Sequence, residues 1–520
     1  MRRFVVVVAA GTLALAALSA EAATPSFRYG VAAGEITSTS ALLWTRAPKR
    51  GPVLVRVSPR RDVAGADARS AGISSPSDDL TVAISVRGLK PGTRYSYFFE
   101  QGRKGVGLGS FVTAPRPAAN SEVRFAISGD ADATPGANGK PGFNRFEVYG
   151  RMASEKNDFN INLGDTIYSD SEIGGAPIAR TVAEKWGKYK LGLALPALLR
   201  LRASAGLYSH WDDHEFVNDF SRAENGDAIY AAGIKAFTDY APVAKPSATG
   251  LYRTFRWGRN LELFFLDERS FRSAKADDVC NGDLAPTAPQ PVRDGFAALA
   301  PGLRNPVPPA CLAAIDDPTR TMLGARQYAA FTRAIKASKA SWKVIVNEVP
   351  IQQFYALPYD RWEGYAAERE RLLRFLQGNV RNVVFLTTDT HANLVNEVRY
   401  RTLGGTPENS GMWEVVTGPV ATNTFAKEID GYLGQKGAGT AIGALFFKPA
   451  PPDGMGMRCA ALDTYSYAEV SVTARRFTGS QRREGPAGPR GEGHGMRPAG
   501  PDRSLTASRR RADYPHGGRP

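Results

Sequence analysis

The chain has 520 residues, 43% of them hydrophobic, and a formal net charge of +15. That length exceeds what one hydrophobic core supports, and the apolar content is that of a globular chain with two or more domains. Three cysteines exclude a disulfide scaffold, and the positive charge is no nucleic-acid signal, because eleven arginines against four acidic residues fall in 475–520.

That last stretch is rich in Gly, Pro and Arg and has no apolar periodicity, so 475–520 is expected to be a disordered basic tail. The rest of the chain shows no basic stripe interleaved with aromatic residues, so no nucleic-acid partner is expected. A modest positive field suits small anions such as phosphate esters better.

At the other end, Arg2 and Arg3 precede an apolar run from Phe4 to Leu18, and Ala20-Glu21-Ala22 offers a small-x-small cleavage site. A signal peptide over 1–22 is expected, with export to the periplasm or the extracellular space. Later segments are too short in apolar residues for an integral membrane span.

From 24 to 116 the sequence reads as short strands with turn punctuation. They are Ala41–Arg46, Val53–Ser58, Leu80–Val86, Tyr95–Glu100 and Gly109–Thr113. An all-β sandwich of fibronectin III/Ig-like type is expected, with Trp44 as the tryptophan between its sheets. Leu89-Lys90-Pro91-Gly92-Thr93-Arg94-Tyr95 resembles the fibronectin turn that leads into a tyrosine-bearing strand.

From 121 to 474 strands alternate with helices, the pattern of an α/β layered domain. Val123–Ser128, Leu261–Leu266, Lys343–Val349 and Val383–Leu386 read as strands. Helical spacing covers Phe146–Ser154, Thr181–Lys190, Gln327–Ser338 and Ala366–Leu376. The Pro-rich stretch Ala285–Pro318 reads as a surface excursion. Cys280 and Cys311 flank much of it, and in an oxidising compartment a bridge between them would contribute about 3 kcal/mol, leaving Cys459 alone.

Four clusters of ligand-type residues stand at predicted strand ends or in the loops after them. They are Asp130-Ala131-Asp132, Gly164-Asp165-Thr166-Ile167-Tyr168, His210-Trp211-Asp212-Asp213-His214-Glu215 with Asn218 beyond, and Asp389-Thr390-His391. Open α/β sheets bind ligands at the carboxyl ends of their strands. Each cluster alone also fits a turn or a cap. Their recurrence along one domain describes a site holding two or more metal ions of the Fe, Mn or Zn kind. Three of the five histidines lie in these clusters.

The order D-x-D, G-D-x-x-Y, W-D-D-H-E and D-x-H resembles the calcineurin-like metallophosphatases, most closely the alkaline phosphatase D (PhoD-like) family. Leu266-Asp267-Glu268-Arg269-Ser270-Phe271-Arg272 and Trp362-Glu363-Gly364-Tyr365 belong to the same resemblance. It implies an α/β-β-α layered domain in which Asp165 bridges two metals. Asp130 would bind the first, completed by Asp389 or His391, with Asp132 beside it. Asp213 takes the position of a second-metal asparagine, with Asn218 as the alternative, and His214 assists the leaving group, held by Asp212.

Two departures from the family pattern bear on the metals. Asp130 stands where the bacterial family type has a cysteine ligand, which departs from that type's iron-plus-calcium set, and Thr388-Asp389 stands where the family has Gly-Asp before the last histidine. Tyr168, three residues after Asp165, matches the spacing of the iron-binding tyrosine of purple acid phosphatases, so iron is one candidate, with Ca, Mn and Zn as alternatives. The resemblance implies hydrolysis of phosphate mono- or diesters by a water that the metals acidify. A phospholipase D-like phosphodiesterase and a non-catalytic exported protein that binds wall polymer are the competing readings.

Overall fold

The structure is a computed structural model that describes residues 27–60, 68–102, 104–105, 108–298, 300–401, 403, 407–446, 457–483 and 505–508. The expected signal peptide lies outside the described residues.

The N-terminal region is rich in strands. Val31–Gly34 (β1), Ser40–Arg46 (β2), Gly51–Ser58 (β3), Ala68–Ser74 (β4), Thr81–Arg87 (β5), Arg94–Gln101 (β6), Lys104–Gly105 (β7) and Gly109–Val112 (β8) form two antiparallel sheets. One has the order β1-β2-β5, and the other β4-β3-β6-β7 with β8 also on β6. Alternation along β3 sends Val53, Val55 and Val57 into a core shared with Leu43 and Ile84 of the other sheet.

Trp44 does not lie in that core, contrary to expectation. It follows Leu43 in β2, so it points to the opposite face, toward the helix Arg222–Tyr240. Its indole N–H donates to the Asp239 carbonyl at 2.7 Å, and the Arg202 guanidinium lies 4.4 Å from its ring. The largest side chain of β2 thus fastens the N-terminal sheets to the second domain.

The second domain mixes sheets and helices. Its first sheet comprises Val123–Ser128 (β9), Phe159–Leu163 (β10) and Gly206–His210 (β11). The second comprises Arg253–Trp257 (β12), Leu261–Phe265 (β13), Trp342–Val346 (β14), Val383–Thr387 (β15), Asn393–Tyr400 (β16), Glu408–Val416 (β17) and Met457–Ala461 (β18). Ser466–Val472 (β19), Arg476–Arg483 (β20) and Leu505–Ser508 (β21) return to the first sheet, giving the order β11-β10-β9-β19-β20-β21.

Phe125, Phe159, Leu263, Val344 and Leu386 share one core between the two sheets, and separate apolar clusters pack helices on their outer faces. β9, β10 and β11 are mutually parallel, as are β13, β14, β15 and β17. Each sheet therefore delivers several carboxyl ends to one edge.

Two expectations are corrected here. The expected basic tail begins inside the fold, because β20 pairs with β19 and Phe477 is buried against Trp342. Arg476, Arg482 and Arg483 stand at the two ends of β20 and do not interrupt its ladder with β19. The remaining tail residues, 484–504 and 509–520, lie outside the described residues. The Pro-rich excursion is also packed, joined by the Cys280–Cys311 disulfide and carrying the buried Leu303, Cys311 and Ile315.

Candidate metal centre

Two glycines bring the first strand ends together. A Cβ on Gly129 would lie 1.9 Å from the Leu163 carbonyl oxygen, so only glycine lets the end of β9 close against β10. Gly164 has φ +67° and would carry its Cβ into Asp212 at 2.6 Å. The residues that follow, Asp130 and Asp165, hold φ 61° and 47°, and Asp389 and His391 after β15 hold 66° and 50°. Four left-handed residues at one edge cost on the order of 1–3 kcal/mol each and mark a functional site.

Glu215 fixes these loops. Its carboxylate accepts the backbone N–H of Asp165 (3.1 Å), Thr166 (2.6 Å) and Asp212 (2.8 Å). The loop after β10 and the loop after β11 are thereby held by one side chain. Asp165 in turn accepts the His214 N–H at 3.2 Å.

Ligand-type atoms of Asp130, Asp165 and His391 lie within 4.8 Å of one another, and so do those of Asp165, Asp213 and His214. Asp165 belongs to both groups, the placement a bridging carboxylate requires. Asp212, Asp213 and Asp389 form a third group, and Asp213, Asp219 and Asp360 a fourth. Tyr168 reaches the first group, with its hydroxyl 2.9 Å from His391 Nε2 and its ring stacked 4.1 Å from that of His214.

Electrostatics say what these groups lack. Burial and the neighbouring Asp213, Asp212 and Glu215 push the Asp165 carboxyl well above its usual range. Burial also pushes Asp130 up to about 7, and its Oδ2 is buried without a hydrogen-bond partner. Several buried carboxylates, with orphaned oxygens on Asp130 and Asp212, are stabilised by protons or by cations. An all O/N donor set without cysteine fits hard or borderline metal ions.

Both histidines carry a carboxylate on the ring nitrogen away from the centre. His214 Nδ1 lies 2.7 Å from Asp170, and His391 Nδ1 bonds Glu428. Such pairs orient metal-ligating imidazoles and fix their tautomer. Burial opposes protonation of both rings, yet the acidic neighbours outweigh it. They push His214 up to about 10 through Asp213 and Asp170, and His391 up to about 9 through Glu428.

The profile of the PhoD-like phosphatase domain matches residues 133–456, and that of the PhoD-like N-terminal domain matches 12–115. The chain belongs to the PhoD-like phosphatase family. Alkaline phosphatase D of Bacillus subtilis strain 168 is 26% identical over 416 residues, covering 71% of this chain and 64% of that protein. The chain thus spans less than two thirds of that relative's length. The solved structure of PhoD superposes with a TM-score of 0.70 at 22% identity, covering 88% of this chain and 86% of that one. Purple acid phosphatase PPD1 of yellow lupin gives 0.54 at 12% identity, covering 88% and 72%. Both structural likenesses concern the fold.

In this PhoD-like chain some expected site residues stand elsewhere. Asp132 is buried, but its oxygens accept the Thr134 N–H and the Ser171 hydroxyl, so it shapes the loop after β9. Asn218 is exposed, and its backbone N–H donates to Asp170 at 2.7 Å. Asp212 does not hold His214. It pairs with Arg269, and Asp170 takes the expected role. His210 is kept neutral by burial and by Arg253, and it bonds the Leu266 carbonyl at 2.6 Å, joining the two sheets away from the centre.

Sequence reasoning quoted Arg269 but gave it no role. Its fully buried guanidinium touches Asp212, Asp360 at 2.9 and 2.8 Å, and Asp389 at 3.4 Å. Asp360 and Glu428 went unmarked, because neither stands in a motif at a strand end. Asp170 is five residues after Asp165, and its offset from the G-D turn was the available signal.

Proposed function

We propose that this chain is an exported, metal-dependent phosphatase that hydrolyses phosphate monoesters, diesters or both. The observation that carries the reading is Asp165, shared by two ligand groups at the carboxyl ends of parallel strands. In the proposed assignment Asp130, Asp165, Tyr168 and His391 hold one metal, and Asp165 and Asp213, with Asp389, hold another. When bound, such metals supply Lewis-acid charge to phosphoryl oxygens and acidify the attacking water. Iron is the first candidate on account of Tyr168, with Ca, Mn and Zn as alternatives.

The chain's own residues supply the proton. Hydrolysis forms a bond from the water oxygen to phosphorus and breaks the bond from phosphorus to the ester oxygen, which leaves as an alkoxide. His214, held by Asp170 and raised by its acidic neighbours, is placed to deliver the proton that the alkoxide requires. Arg269 keeps Asp212, Asp389 and Asp360 apart and oriented.

Export is supported by the Arg2-Arg3 pair, the apolar run and the Ala20-Glu21-Ala22 site. Among the described residues no helix is long and apolar enough to cross a membrane. A fibronectin III/Ig-like relation of the N-terminal sheets is supported by the Tyr95 hydroxyl, which accepts the Lys90 N–H at 2.9 Å, as a tyrosine corner does.

The test is metal content of the purified protein together with turnover of p-nitrophenyl phosphate and bis-p-nitrophenyl phosphate. Asp165→Asn is expected to lose metal and to lose activity on both esters alike. A metal-free preparation with undiminished turnover would overturn the reading.

A further inference from the structure

Between the first sheet and the helices on its outer face lies a small cavity of about 20 Å³. It is bounded by Asn162 of β10, Ser209 of β11 and Thr166, the residue after Asp165. Tyr189 of the helix Val182–Gly192 and Arg202 of the helix Pro196–Ser204 complete it. A volume of that order holds one water-sized sphere.

The cavity is lined by a charge without a counterion. Arg202 is 6% exposed, and no carboxylate among the described residues pairs with it. One terminal nitrogen donates to the Tyr240 carbonyl at 3.0 Å and the guanidinium lies over the Trp44 ring, but its Nε is buried without a partner. Burial pulls this guanidinium down to about 10, opposed only by the hydroxyls of Tyr97, Tyr189 and Tyr240. It therefore stays charged at neutral pH. The other buried guanidiniums of Arg269, Arg272 and Arg293 each hold an aspartate.

The remaining groups on the lining add donors. The Tyr189 hydroxyl, beside Thr166, is buried with no hydrogen bond of good geometry. Tyr149 donates to the Asn162 side-chain oxygen at 2.7 Å, which leaves the Asn162 amide as a donor. Glu215 lies off the lining, and its oxygens are taken by the N–H groups of Asp165, Thr166 and Asp212. Water would bring two protons of its own to such a lining, whereas an anion accepts from every donor and offsets the guanidinium.

We propose that this cavity binds a single monovalent anion of the halide class, chloride in ordinary salt, held by Arg202, Tyr189 and Asn162. The ion joins the two helices to β10 beside Thr166. Through Arg202 and Trp44 it also consolidates the junction with the N-terminal sheets. It is a structural ion with no part in the ester chemistry, so it stands apart from the phosphatase reading.

The experiment follows thermal unfolding of the full-length protein, metal-loaded and again in EDTA. Sodium chloride or bromide is titrated against sodium gluconate at constant ionic strength. A saturable rise of several degrees in melting temperature is expected with either halide, with and without metal. Arg202→Met should lose the response. Tyr189→Phe keeps the ring and should weaken halide affinity by about tenfold or more, the worth of one hydrogen bond to a charged group, and it guards against misfolding of the first variant.

A melting temperature that ignores the nature of the anion overturns the inference, as does a response that survives both substitutions. A response seen only with metal bound places the halide at the metals and also overturns it. Crystals grown in bromide fix the position: an anomalous peak beside Arg202 Nε upholds the site, and a water there removes it.

Discussion

Arg269→Met removes a buried cation shared by Asp212, Asp360 and Asp389. The guanidinium is fully buried and makes a fork to Asp360, a bond to Asp212 and a longer one to Asp389. Asp360 would retain Arg272, but Asp212 would have neither oxygen paired, since its Oδ2 already lacks a partner. Breaking a buried ion pair by removing one member costs about 3–5 kcal/mol, because the other charge stays behind. The expected result, in chelator, is a denaturation midpoint lowered by an amount equivalent to that range. Divalent metal should reverse part of the loss, since a cation among Asp212, Asp213 and Asp389 replaces the missing charge. Arg269→Lys should recover less than half, as one ammonium cannot reach three carboxylates. The assay is urea unfolding of each variant with EDTA and with metal, compared at constant slope. A loss below about 1 kcal/mol in EDTA, or no response to metal, would refute the view that Arg269 balances the buried acids.

Tyr168→Phe should abolish any visible charge-transfer band of the iron-loaded protein with iron still bound; a colourless iron-loaded wild type would make Tyr168 a packing residue. His214→Gln should keep much of its activity on p-nitrophenyl esters and lose about 10²–10⁴-fold on alkyl phosphates, whose leaving groups require a proton. Equal losses with metal retained would remove the proton-donor role, and loss of metal would make His214 a ligand instead. Phe477→Ala should destabilise the protein by about 3–5 kcal/mol, since the ring is buried against Trp342; an unchanged melting temperature would place β20 outside the cooperative core.

Where sequence and structure agree, the reason is local. The apolar run Phe159–Leu163 and the glycine-aspartate turn after it are written in consecutive residues, and β10 follows them directly. Asp130, Asp165, Asp213, His214, Asp389 and His391 were legible because each follows a strand end. Asp132 and Asn218 share those motifs but not the direction. The left-handed turn at Asp130 aims that residue at the centre, and the chain then turns Asp132 back on Thr134 and Ser171. The second sheet could not be assembled from periodicity alone, since β16, β17 and β18 pair in an order the chain does not announce.

The partners of the ligands were the least legible part, and the physical cause is general. A ligand must sit where the strand ends put it, so its position is tied to local sequence. A carboxylate that steadies a histidine from behind can come from any element that passes within reach. Glu428 comes from a helix 37 residues after His391, while Asp170 lies 44 residues before His214. Arg269 satisfies Asp212 from a loop after β13, a distance of 57 residues. The acids at the centre repel one another, so they stay charged only where such distant groups, or metals, offset them. The specificity of this centre therefore depends on residues that no strand-end motif contains.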